Sequence, residues 1–308
     1  MQKILIYNSG GGLGDSIVLF PLILSLKYHF KDSQFYLLNS HENHFSGKLK
    51  EYGITINSLN LNLKYFGFRW HHFFRVKSYF FKLGIDKFDL IVDLQSKFRN
   101  TIVLKEVPHA NFYSSTFNYK FCTTKKNYKS NDDIVEKTIS NLNIFLNTNI
   151  EIMKYNKDNL PEYFFSEAKK LLPNNNYIGF SITQGNVYRK KSWPIKNIIE
   201  TANKIKKNGD MPVFFIEKEE VELINKIKSE VENAIFPEHN TKYSCPAFVT
   251  ALAMRLKKAI SIDNGIMHMI ALSEIPMVVL FGPTNSRKFA PKNNKTIILD
   301  SNNLYKTD

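Results

Sequence analysis

Short unbroken apolar runs recur along this chain, alternating with stretches of helical spacing, and Ile4-Leu5-Ile6-Tyr7 is the first of them. Runs of this length, bounded by turn residues, predict strands covered on both faces, as in a parallel sheet. Phe35 to Leu38 and Leu90 to Val92 are the next, set apart by enough chain for crossover helices. After the first run, Asn8-Ser9-Gly10-Gly11-Gly12-Leu13-Gly14-Asp15 predicts a glycine-rich turn and Ser16 to Phe30 a helix, with Pro21 near its second turn. A proline there can kink a helix without ending it. The first half therefore predicts an α/β unit.

The alternation pauses at Asn156-Lys157-Asp158-Asn159-Leu160-Pro161, which predicts a linker, and then restarts. Tyr177 to Ser181 predicts a strand, and Pro194 opens a helix with apolar residues at 195, 198, 199, 202 and 205, stopped by Gly209. Met211 to Phe215 predicts a strand, Pro246 to Lys258 a helix, Ile260 to Ile262 extended chain, Ile266 to Leu272 a helix and Met277 to Phe281 a strand closed by Gly282-Pro283. The expectation is two Rossmann-like domains, 1–158 and 159–308, with ligands beyond the carboxyl ends of the strands in the gap between them.

Length agrees with two domains, since 308 residues are about twice the usual domain size. With 43% hydrophobic and 23% charged residues, the composition excludes a disordered chain and an integral membrane protein. The first residues lack the pattern of a signal peptide, so the expected location is the cytoplasm. Cys122 and Cys245 offer neither a disulfide framework nor a thiolate metal cluster. Net charge is +14, which either draws polyanions and anionic surfaces or reflects the Lys, Asn, Ile and Phe bias of AT-rich coding DNA.

Chemistry concentrates at the predicted strand ends. Ser261-Ile262-Asp263-Asn264-Gly265-Ile266-Met267-His268 runs from strand through turn to helix, where Asp263 or Asn264 can cap, Gly265 admits close backbone approach and His268 lies on the first turn. This is either a diphosphate cradle, walled by Gly282-Pro283-Thr284, or an ordinary cap with a packed histidine. The loop ending in Asp15 has neither the small final residue of a dinucleotide fingerprint nor the Gly-Lys-Ser/Thr of a P-loop. Asp15 is a helix cap or, facing a ligand, a general base. Lys190-Lys191-Ser192-Trp193-Pro194 is a solvated basic loop or a source of positive charge for a leaving diphosphate.

Two further stretches bear on the acceptor side. Asp93-Leu94-Gln95-Ser96-Lys97-Phe98-Arg99 begins at a strand end, and residues 97–129 hold seven Lys/Arg against one acid, Glu106. Residues 61–82 hold nine aromatics, including Tyr65, Phe66, Trp70, Phe74 and Phe81, with five Lys/Arg and no acid. That mixture suits either a membrane interface or an amphipathic core helix with a basic outer face.

Taken together, Gly14-Asp15 with Pro21, Asp93-Leu94-Gln95 with Arg99, Lys191-x-Trp193-Pro194, and Asp263-x-Gly265-x-x-His268 followed by Phe281-Gly282-Pro283-Thr284 resemble glycosyltransferase family 9, the ADP-heptose:lipopolysaccharide heptosyltransferases. The resemblance implies an α/β, GT-B type fold and an inverting, metal-independent transfer to an acidic, lipid-linked glycan. It implies Asp15 as catalytic base. Gly14, Gln95 and Arg99 would meet the acceptor, and Thr183, Lys191, Glu217, Asp263, Asn264, Gly265, His268 and Thr284 the nucleotide-sugar donor, expected to be ADP-heptose. No metal and no nucleic acid are implied, and the implied setting is a monomer peripheral to the inner membrane's cytoplasmic face. Asn264 departs from the Thr or Ser usual there, Ser9 from a basic residue, and the tail after Pro291 is short. A catalytically silent relative that binds nucleotide sugar or glycan as an assembly partner is the alternative; against a nucleic-acid binder and an NAD-dependent dehydrogenase stands the absence of their motifs.

Overall fold

A computed structural model describes residues 2–39, 44–63, 67–184 and 191–305. Lys190, Tyr65 and Phe66 lie outside the described residues. The chain divides into two compact units, Met1–Lys50 with Ile54–Tyr155, and Asn156–Asp308 with the short segment Glu51–Gly53.

The first unit is built on β1 (Lys3–Asn8), β2 (Gln34–Asn39), β3 (Asn57–Leu59), β4 (Phe88–Asp93) and β5 (His109–Ser114), all parallel in the order β3-β2-β1-β4-β5. Its helices are α1 (Leu13–Val18), α2 (Phe20–His29), α3 (Val76–Lys82), α4 (Phe98–Lys105) and α5 (Ile134–Leu146). On β1, Leu5 and Tyr7 pack with Phe68, Val76, Phe80, Val103 and Leu104, while Ile4 and Ile6 are equally buried on the opposite face. This double covering is why the strand reads as a continuous apolar run.

The second unit repeats the plan with β6 (Tyr177–Ser181), β7 (Met211–Phe214), β8 (Lys258–Ile262), β9 (Met277–Phe281) and β10 (Thr296–Asp300), parallel in the order β10-β9-β8-β6-β7. Its helices are α6 (Glu162–Leu171), α7 (Ile195–Lys207), α8 (Val221–Glu230), α9 (Pro246–Ala253), α10 (Gly265–Leu272), α11 (Ser286–Phe289) and α12 (Ser301–Leu304). Helix α7 buries Ile198, Ile199 and Ala202 against Ile178, Phe180 and Phe214 of the sheet, and the chain leaves it through Gly209 at φ +84°, where a side chain would strain the backbone. Tyr52 anchors the Glu51–Gly53 segment to α9 by donating to the Pro246 carbonyl at 2.8 Å.

Four expectations need correcting. The helix predicted over Ser16 to Phe30 starts earlier, at Leu13, and is split at Leu19; Pro21 lies in the first turn of α2, where no N–H is needed, instead of kinking one long helix. The helix predicted to reach Lys258 stops at Ala253, because Lys258 is drawn into β8 opposite Ile178. The strand predicted to end at Phe215 ends at Phe214. The described residues of the stretch 61–82 form no single amphipathic helix: a 3-10 turn at Trp70–His72 precedes the short α3, Phe68, Val76 and Phe80 are buried, and Trp70, Phe74 and Phe81 are exposed.

Candidate active site

In the first unit the carboxyl ends of β1 and β4 form one polar network. Asp93 is 1% exposed, and its carboxylate accepts from the Thr101 hydroxyl at 2.6 Å, the Ser114 hydroxyl at 2.8 Å and the Gln95 N–H at 2.9 Å. All three donors are neutral, and burial pushes the Asp93 carboxyl up to about 6. Gln95 donates from its side-chain amide to Asn8 Oδ1 at 2.7 Å, and the same oxygen accepts the Gly10 N–H at 3.0 Å. The amide of Gln95, expected to meet the acceptor, thus braces the loop that leads to Asp15.

Asp15 is the third residue of α1 and is exposed. Its carboxylate accepts the Gly12 N–H at 3.2 Å across the helix start, a position the helix dipole favours for an anion. A Cβ at Gly12 would stand 2.9 Å from Asp15 Oδ2, so a side chain there would displace the end of the flexible Asp15 carboxylate. Gly14 is buried in the same turn. Arg99 lies half-buried on the first turn of α4.

In the second unit Asp263, just past the end of β8, collects partners from the segment before α7 and from the turn after β9. Its carboxylate pairs with the Lys191 ammonium, their side chains 9% and 14% exposed, and accepts the Thr284 hydroxyl. Lys191 is held a second time, its N–H donating to Gln184 Oε1 at 2.8 Å. Asn264 caps α10 by accepting the Met267 N–H at 2.8 Å and donates to Ser181 Oγ and the Thr183 carbonyl, each at 2.8 Å. Its side-chain amide joins the start of α10 to the end of β6. The cap leaves Gly265 as the first residue of α10, with His268 one residue beyond Met267 on the same helix. Thr183 is placed by its carbonyl, just past β6.

Glu217 is exposed just beyond β7. The sequence reading missed its neighbour Glu238, whose carboxyl is pushed up to about 7 by burial and by the Glu217 charge. Glu238 is carried there by tertiary pairing alone: the Phe214 N–H donates to the Ile235 carbonyl at 2.8 Å, and the Ile235 N–H to the Pro212 carbonyl at 3.1 Å. No local motif marks it. Among the described residues no group of three or more His, Cys, Asp or Glu is placed to hold a metal ion.

In each unit the polar cluster stands at the carboxyl ends of parallel strands, where open α/β sheets bind ligands. The family model for glycosyltransferase family 9 (heptosyltransferase) matches residues 76–308, well over half of the chain. The chain belongs to glycosyltransferase family 9. A lipooligosaccharide heptosyltransferase 2 of Campylobacter jejuni is 24% identical over 94% of the chain and 84% of that relative. Among solved structures, a family 9 glycosyltransferase from Veillonella parvula superposes with a TM-score of 0.70 at 18% identity, covering 99% of this chain and 87% of its own. The E. coli heptosyltransferase WaaC, solved with ADP-2-deoxy-2-fluoro heptose, superposes with a TM-score of 0.66 at 14% identity, covering 97% of this chain and 93% of its own. The fold is of the α/β, GT-B type, and this family 9 member is a heptosyltransferase-like glycosyltransferase.

Proposed function

We propose that this family 9 enzyme transfers a heptose from ADP-heptose, with inversion and without a metal ion, to a hydroxyl of an acidic, lipid-linked core glycan. The observation that carries the reading is the Lys191–Asp263–Thr284 cluster next to the capped start of α10. It supplies a fixed ammonium, a hydroxyl and helix N-terminal amides together, which is the chemistry a departing diphosphate requires. A heptosyltransferase of the same fold solved with an ADP-linked heptose analogue supports the donor class.

In this reading the second unit binds the donor. The ammonium of Lys191 and the amides at Asn264 and Gly265 take up charge on the diphosphate, with His268 beside them, while Asp263 positions Lys191 and Thr284. Glu217, with Glu238, meets the nucleotide. In the first unit Asp15 removes the proton of the acceptor hydroxyl as its oxygen forms the new bond to the anomeric carbon; the bond from that carbon to the diphosphate breaks, and ADP leaves with the electron pair. Attack from the face opposite the leaving group inverts the anomeric centre. Arg99 and the basic stretch to Lys129 meet the acidic acceptor, and the enzyme works as a monomer peripheral to the cytoplasmic face of the inner membrane.

Calorimetric titration of ADP, GDP, UDP and dTDP tests the donor assignment. ADP is expected to bind tightest, with Lys191→Ala weakening it roughly tenfold or more, as loss of a charged hydrogen bond does. Unchanged ADP affinity in Lys191→Ala would remove the diphosphate seat from this cluster.

A further inference from the structure

The first unit carries an exposed aromatic ribbon that neither the core nor the proposed chemistry uses. Trp70 is 56% exposed, Phe98 43% and Phe117 59%. The rings are in series: Trp70 to Phe98 at 6.5 Å, Phe98 to Phe117 at 5.2 Å, and Phe98 and Phe117 to Phe121 at 6.0 and 6.1 Å. Phe98 opens α4 after β4, and Phe117 follows the end of β5, so the ribbon lies along the carboxyl ends of these two strands.

The protein holds Phe117 outward at a conformational cost. Phe117, Asn118 and Tyr119 have φ values of 48°, 51° and 63°, three consecutive left-handed residues, of which only asparagine tolerates that region readily. Such backbone persists only where its surroundings impose it. Here they do: Tyr119 is buried, its ring lies 4.4 Å from that of Tyr128, and its hydroxyl accepts from Asn141 at 2.7 Å and donates to the Lys129 carbonyl at 3.2 Å. Anchoring Tyr119 inward turns Phe117 out to solvent beside Phe98.

Cations frame the rings. Lys105 stands over Phe121 at 5.5 Å, and Lys97, Lys120, Lys125 and Lys126, part of the basic stretch also proposed to face the lipid-linked acceptor, are exposed on the same stretch of chain. The one acid of this stretch, Glu106, is paired with Lys77 at 3.1 Å. Apolar rings without hydroxyls, edged by lysines and a tryptophan, match the interface of a bilayer with anionic headgroups, because rings enter the acyl boundary while ammonium groups stay at the phosphates. We propose that the Trp70–Phe98–Phe117 ribbon docks this enzyme on anionic phospholipid. The proposal rests on the functional reading only for a lipid-linked acceptor; it locates the membrane contact in the ribbon, and leaves out Phe81, which lies with Ile85, Asp86 and Pro108 at the amino ends of β4 and β5.

The test is sedimentation with sucrose-loaded vesicles of phosphatidylcholine alone or with 30% phosphatidylglycerol, without donor or acceptor, so its outcome is independent of any turnover assay. The wild-type chain is expected to pellet with the anionic vesicles at least tenfold more strongly than with the neutral ones, and 0.5 M salt should release it. Trp70→Ser/Phe117→Ser, with wild-type melting temperature because both side chains are exposed, should lose roughly tenfold or more of that binding. Phe81→Ser should lose none. In a Trp193→Phe background the remaining tryptophan emission should shift to the blue on anionic vesicles. Equal binding by the double variant and wild type, or equal loss in Phe81→Ser, would overturn the assignment.

Discussion

The two sheets end in carboxylates of opposite character. In the first unit Asp93 is surrounded by hydroxyls and an N–H, no cation among the described residues is paired with it, and burial drives its carboxyl up to about 6. In the second, Asp263 occupies the corresponding kind of position after a buried strand but faces the Lys191 ammonium and the Thr284 hydroxyl. One topology thus carries a charge-poor bracket and a charge-paired one. The first braces a loop that leaves Asp15 exposed; the second holds a cation at a fixed place beside a helix start. A Rossmann-like unit prescribes where a site lies and leaves its electrostatics to three or four side chains.

The comparison breaks first at Asp15. If the first unit supplies the base, Asp15→Asn should lower turnover about 100- to 10,000-fold while ADP affinity stays within twofold of wild type, read by initial rates and calorimetry. Loss of both together would place Asp15 with the donor instead.

Next in size is Asp263→Ala. Removing one partner of a largely buried pair leaves the Lys191 ammonium without its counter-charge, and the expected loss is about 3 kcal/mol in urea unfolding, together with weaker ADP binding. A merely surface pair would lose less than about 1 kcal/mol.

Asp93→Asn sharpens the contrast through pH. The folded carboxyl titrates at about 6 against 3.8 in the unfolded chain, so the unfolded state ionises first as pH rises. The raised group therefore favours the folded state below pH 4, and that advantage is lost between about pH 4 and 6, an effect on the order of 2–3 kcal/mol. Urea midpoints of wild type should fall across that window more steeply than those of Asp93→Asn. Glu238→Gln should flatten the corresponding fall between the ordinary glutamate range and about pH 7.

The smallest expected stability effect is at Gly12→Ala. The added methyl presses on the flexible end of Asp15, so unfolding should shift by less than about 1 kcal/mol, while turnover falls because the carboxylate is displaced. Unchanged turnover would show that the Gly12 contact does not set the position of the base.

Much of this was legible along the chain wherever one element decides for itself. Ile4 to Tyr7, Tyr177 to Ser181 and Met277 to Phe281 are strands because runs of such residues are stable only when covered on both sides. Gly209 ends α7 because a left-handed residue is required there. The edge strands β3, β5 and β10 escaped notice because they carry no unbroken apolar run: β3 and β10 are mostly exposed or half-buried, and β5 interleaves His109, Asn111 and Ser114 with its apolar residues. At the site, the motif residues cluster at strand ends as their spacing implies, but the tasks of Gln95 and Asn264 did not follow from spacing. Both amides bond across to a neighbouring strand end.

Composition and periodicity by themselves determined two α/β units, the alternation of strand and helix, and which strand ends carry polar residues, because burial of apolar runs is a local and additive demand. Tertiary structure alone decided that Asp263 meets Lys191, that Glu238 reaches Glu217, and that Phe117 stands outward beside Phe98. Those pairings join residues far apart in sequence, and the energy that selects them exists only once packing has removed water from between them.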